Sequence, residues 1–223
     1  MNYSIEQSDT TRAHEDGVVK YLEGDMPEKA VVVLQAAKKM FSRHGFSATT
    51  TDMIQREAGV SKSTLYAHFQ NKEGMFRAVI ELECNRQIDR ALFRARRGEG
   101  IRERLLSLAT AYLDLLMSKE TLALYRLTLE VSTSFPDLAE LFYNSGPNRL
   151  FRVIQEVFEQ EVQNGDLKIP SGQALPMARL FAAMVREPHL RYALFPEKEI
   201  PRKELDASSA LAVDTFLAAY GAQ

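Results

Sequence analysis

The chain has 223 residues, 45% hydrophobic and 26% charged, with 28 Lys+Arg against 30 Asp+Glu and a formal charge of −2. That length supplies a core for one or two domains, and no apolar run nears the ~20 residues of a membrane span, so a helical membrane protein is excluded. The polar opening residues predict no secretory leader, and Cys84, the single cysteine, excludes an intramolecular disulfide and predicts a cytoplasmic chain without a zinc–thiolate cluster.

Residues 1–26 hold six acids and two bases with no clear periodicity, and read as a flexible acidic arm. From Pro27 the pattern turns helical. Ala30, Val33, Leu34, Ala37 and Phe41 recur at helical spacing, and Gly45 predicts the stop. Thr49, Thr50 and Thr51 precede Asp52, so one threonine caps a second helix over about 51–58, ended by Gly59. Ser61 caps a third helix over about 61–69. Asn71 caps a fourth that runs toward Arg97, with Met75 and Phe76 as core. Residues 27–79 carry eight bases against four acids, the only basic block, which suits contact with a polyanion.

Helical spacing continues over 101–118, 121–131 and from Pro136, with Gly146-Pro147 expected to kink or restart the chain. Leu150, Val153, Ile154, Val157, Phe158 and Val162 mark one face of the segment ending near Gly165. Helices near 171–186, 188–195 and 205–220 complete the chain. β-branched alternation is almost absent, so the fold class is all-α: an N-terminal three-helix domain over 27–74 and a helical domain over 75–223.

The informative stretch is TTTDMIQREAGVSKSTLYAHFQNKEGMF, residues 49–76. Two short helices about a glycine turn make a helix-turn-helix, with Ile54, Ala58, Val60 and Leu65 as its small core. Lys62, Ser63, Thr64, Tyr66 and His68 then face outward, none of them acidic. Such a helix lies in the major groove of double-stranded DNA with its first residues on base edges. The stretch resembles the DNA-binding domain of the TetR family of bacterial transcriptional regulators over residues 27–76. The resemblance is carried by the helix ending HGF, the threonine cap, AGVSKSTLYAHF and NKEGMF, and by the spacing of Tyr66, Phe69 and Lys72. Gln55 departs from it, standing where the family usually has alanine.

Chemistry assigns Lys62 to guanine, and Ser63 and Thr64 to base edges or a thymine methyl. Thr50 or Thr51 suits a phosphate, and Lys72 a further phosphate. Tyr66 and His68 match family positions that donate to phosphates. Against these stand plainer roles: the threonines as caps only, Tyr66 packing on the first helix, His68 as a surface residue. The resemblance implies a homodimer on a pseudo-palindrome and release of the operator when a ligand binds. An interface is expected on the last helices, where Ala178, Ala182, Ala183, Ala207, Ala210, Ala212, Ala218 and Ala219 allow close approach and Phe181, Met184, Val185, Phe216, Leu217 and Tyr220 supply burial. A pocket for a small hydrophobic effector is expected around Phe93, Tyr112, Leu116, Tyr125, Leu129 and Phe142, with Arg126 as polar anchor. An enzyme is disfavoured, since no nucleophile triad, glycine-rich phosphate loop, metal-ligand spacing or cofactor motif is present. An adaptor that has lost DNA binding is disfavoured by the basic block.

Overall fold

The computed structural model describes residues 26–95, 98–186, 195 and 201–222, with the side chains of 90–95 excepted. The expected acidic arm, and the helix expected near 188–195 apart from Phe195, lie outside the described residues. Contacts divide the chain into two compact units, the first ending at Leu82 and the second starting at Glu83.

In the first unit, α1 (Glu28–Ala48) leaves helical geometry at Gly45, which takes φ 77° and ψ 169°. The chain then turns through Phe46 so that Phe41, Phe46 and Phe76 meet, with ring centroids 4.9–5.6 Å apart. Burial of these rings with Val33, Leu34, Ile54, Leu65 and Met75 supplies the small core. Around it run α2 (Thr51–Ala58), α3 (Lys62–His68) and the start of α4 (Lys72–Ala95), the helix that continues into the second unit.

The second unit adds α5 (Ile101–Leu116), α6 (Lys119–Val131) and α7 (Pro136–Tyr143). It is completed by α8 (Arg149–Gln163), α9 (Ala174–Val185) and α10 (Arg202–Tyr220). At Gly146-Pro147, where a kink or restart is expected, Asn144–Asn148 forms one π-helical turn between the end of α7 and the start of α8. A widened turn accommodates a proline that has no N–H to give. Phe158, Phe181 and Phe216 stack and cross at 4.8–5.5 Å in the centre of this unit. The expected face of α8 needs one correction. Val162 is exposed and Glu161 is buried in its place, because Arg104 on α5 grips Glu161 through two bonds of 2.8 and 2.7 Å and also reaches Asp166. That contact holds the Glu161 carboxyl below its ordinary range. α10 starts at Arg202, ahead of the expected 205, with Arg202 paired to Asp206 one turn on and to Asp114 of α5.

Candidate functional site

The three threonines divide their tasks. Thr49 is buried and donates to the Gly45 carbonyl at 2.7 Å, tying α2 to the end of α1. Thr50 is the N-cap of α2 and its hydroxyl accepts the Met53 N–H at 3.2 Å, a cap worth ~1 kcal/mol. Thr51 has its hydroxyl 3.3 Å from that of Tyr66 on α3. The turn is closed by Gly59 at φ 66°, whose N–H meets the Arg56 carbonyl. Gln55 reaches inward and donates from Nε2 to the Val60 carbonyl at 2.8 Å. The departure from alanine thus satisfies a turn carbonyl.

Ser61 caps α3, accepting the Thr64 N–H at 3.1 Å, with the Ser63 and Thr64 hydroxyls each 2.8 Å from its own. Leu65 is the buried residue of α3, so Lys62, Ser63 and Tyr66 face solvent while Thr64 and His68 are half-buried. Lys62, Ser63 and Tyr66 are thus exposed together on α3, and two features of their surroundings are not revealed by spacing along the chain. Lys62 Nζ sits 2.8 Å from Asp52 Oδ1, with Lys62 63% and Asp52 51% exposed at the side chain. The ammonium lowers the Asp52 carboxyl pKa and the carboxylate raises that of Lys62. Lys72 donates to the Phe46 carbonyl at 2.9 Å and the Ser47 carbonyl at 3.4 Å, with its ammonium 4.3 Å over the Phe46 ring. It thereby fastens α4 to the carbonyl end of α1. Lys39 pairs with Glu57 across α1 and α2.

The second unit encloses a cavity of about 450 Å³ between α4, α5, α6, α7, the π turn, α8 and α9. Tyr112, Leu116, Tyr125 and Phe142 line it, as expected, with the Tyr125 and Phe142 rings 6.4 Å apart. Leu129 does not: it is 55% exposed on the far side of α6. Arg126, one turn short of it, is also absent from the wall, and Arg186 stands there as a cation instead. The Phe93 side chain lies outside the described residues. Sequence reading missed Glu83, Cys84, Gln87, Glu120 and Thr121, polar positions that bring no apolar period. Burial pushes the Tyr112 hydroxyl up to about 12, opposed by the charge of Arg186. Gly146 of the π turn packs so closely on α4 that an added Cβ would lie 3.3 Å from Cys84 Sγ.

The residues expected at a dimer interface separate. Phe181, Val185 and Phe216 are buried in the protomer's own core, where Phe181 and Phe216 close on Phe158. Met184, Leu217 and Tyr220 are half-buried around it. On α9 Leu180 is 45% exposed and on α10 Leu211 is 70% exposed; Ala207, Ala218 and Ala219 of α10 are exposed too, while the exposed Ala183 of α9 lines the cavity.

Residues 33–79 match the family model of bacterial regulatory proteins of the tetR family, and residues 103–222 match that of the AefR-like transcriptional repressor C-terminal domain. A TetR-family transcriptional regulator structure from Mesorhizobium loti aligns with a TM-score of 0.79 at 25% identity, over 86% of this chain and 96% of that one. The flavonoid-responsive regulator FrrA aligns at 0.75 with 30% identity, over 86% and 97%. The HTH-type transcriptional repressor ComR of Escherichia coli is 46% identical over 57 residues, 26% of this chain and 25% of ComR. The chain spans about a quarter of the length of the curated relatives it matches.

Proposed function

The chain belongs to the TetR family of bacterial transcriptional regulators, and from that premise we propose that it is a cytoplasmic repressor. It binds a pseudo-palindromic operator as a homodimer and releases it when a small hydrophobic effector fills the cavity. The observation that carries the reading is the solvent face of α3, where Lys62, Ser63 and Tyr66 project together beside the Thr51 hydroxyl. Lys62 reads guanine, Ser63 and Thr64 read neighbouring base edges, and Thr50, Thr51, Tyr66, His68 and Lys72 hold phosphates.

The cavity supports the release step. Its wall is mostly apolar and aromatic, with Arg186 in the anchoring role, and its volume is that of a small-ligand site. FrrA's description as flavonoid-responsive supports a small-molecule effector of that kind. An effector shifts the equilibrium only through its different affinity for the DNA-bound and released conformations. α4, which lines the cavity and continues from the reading head, is the element whose movement couples them.

The test is recovery of bound fragments from the source genome, followed by footprinting. Two protected half-sites about one helical turn, ~34 Å, apart are expected, and a flavonoid titration is expected to release them. Equal binding to all fragments would remove the sequence-reading role.

A further inference from the structure

We propose that Arg149 is a positioning residue that couples the cavity to α4: its fork on Asn85 and Asp89 latches α4 in the operator-binding setting and opens when the cavity fills. This rests on the reading of the cavity as the effector site. Arg149 is the first residue of α8, directly after the π turn. Its guanidinium donates from one nitrogen to Asn85 Oδ1 and from the other to Asp89 Oδ1 at 3.0 Å. Asn85 and Asp89 stand one turn apart on α4, so both nitrogens of the fork meet one face of that helix.

The same elements also wall the cavity, with residues that alternate with those of the latch. Cys84, Gln87 and Ile88 of α4 line it, as do Gly146 and Pro147 of the π turn and Leu150 of α8. Cys84 and Ile88 are buried, whereas Arg149 is half-buried and Asp89 exposed. The cavity thus lies on the inner edge of this seam and the latch on its outer edge. The seam has little slack, since a Cβ on Gly146 would stand 3.3 Å from Cys84 Sγ. A ligand that pushes the turn from α4 therefore carries Arg149 away from its acceptors, because packed walls transmit displacement. A shift of ~1 Å takes the bond to Asp89 out of hydrogen-bond range. The latch is then either made or broken, as a two-state element must be. It belongs to the setting that the ligand disfavours, which in the proposed release is the operator-bound one.

The test uses the full chain, the operator fragment and naringenin as the flavonoid probe. Arg149→Met keeps an unbranched stem and removes the fork. Without ligand it is expected to bind the operator about fivefold more weakly, as loss of a part-exposed pair allows. It should bind naringenin more tightly by a similar factor, because coupling between the two ligands is reciprocal. Asp89→Ala, at an exposed position, removes one arm and is expected to move both affinities in the same directions by about twofold. An arginine that only supports the fold would not weaken one ligand while tightening the other. Unchanged affinities in both variants, or losses for operator and naringenin together, overturn the latch and leave the effector cavity standing. A parent that holds its operator and takes up no naringenin overturns the effector reading and the latch with it.

Discussion

Lys62 and Asp52 face each other from the first turns of α3 and α2, both largely in water. An exposed pair of this kind adds little to stability, so its consequence lies in binding. Asp52 occupies the ammonium that would meet guanine and brings a carboxylate toward the phosphates. A cognate base offers Lys62 a geometric replacement, whereas random DNA offers only charge. Asp52→Asn is therefore expected to raise affinity for random duplex roughly fivefold, the size of one charge contact a few ångströms apart in water. Operator affinity should rise less, so the specificity ratio falls. Mobility shifts on both duplexes at low and high salt check this, with the gain fading as salt screens it; unchanged random binding at low salt would remove Asp52 from the account. Lys72 has two tasks to separate, since its ammonium already holds the Phe46 and Ser47 carbonyls. Lys72→Met should lower the Tm by a few degrees and reduce the salt slope by about 2 per dimer. A lower Tm with an unchanged slope would assign Lys72 to the end of α1 alone.

At the scale of elements, the turn between α2 and α3 depends on Gly59 in the left-handed region, where an added Cβ meets nothing within 4 Å. Gly59→Ala therefore isolates backbone cost from steric cost, and is expected to destabilise by about 1–2 kcal/mol in urea melts. A loss well under 1 kcal/mol would show that the turn readily adopts another form. This turn was legible in the sequence because its determinants are local: Thr50 and Ser61 cap, Gly59 reverses, and Leu65 points inward. What stayed hidden was set across long separations. Glu161 is buried instead of Val162 because Arg104, far back in the chain, grips it. Leu129 has the spacing of a pocket residue but lies one face away from Leu124. α9 and α10 each carry two apolar faces, and period alone does not say which one meets Phe158. Phe181 and Phe216 turned inward, leaving Leu180 and Leu211 outside.

That division governs the whole molecule. One reading head makes too few contacts for a genomic site, so operator binding requires two heads held at a fixed spacing. Leu180 on α9 and Leu211 on α10 are exposed apolar side chains, and exposed alanines on the same helices allow close helix approach. The proposed homodimer would bring α9 and α10 against their copies about a twofold axis, as a closed dimer requires. Leu211→Asp places an exposed charge on α10 without touching the Phe158–Phe181–Phe216 cluster, so the protomer core is retained. Sedimentation at micromolar concentration is expected to report a monomer with native helicity. Operator affinity should fall at least ~100-fold because the second head no longer contributes at high effective concentration. Binding to random DNA at low salt, which each head makes alone, should fall far less. Phe216→Asp should instead abolish folding, since it buries a charge among three rings. A Leu211→Asp protein that stays dimeric and keeps full operator affinity would move the interface off this face, and with it the geometry that sets half-site spacing.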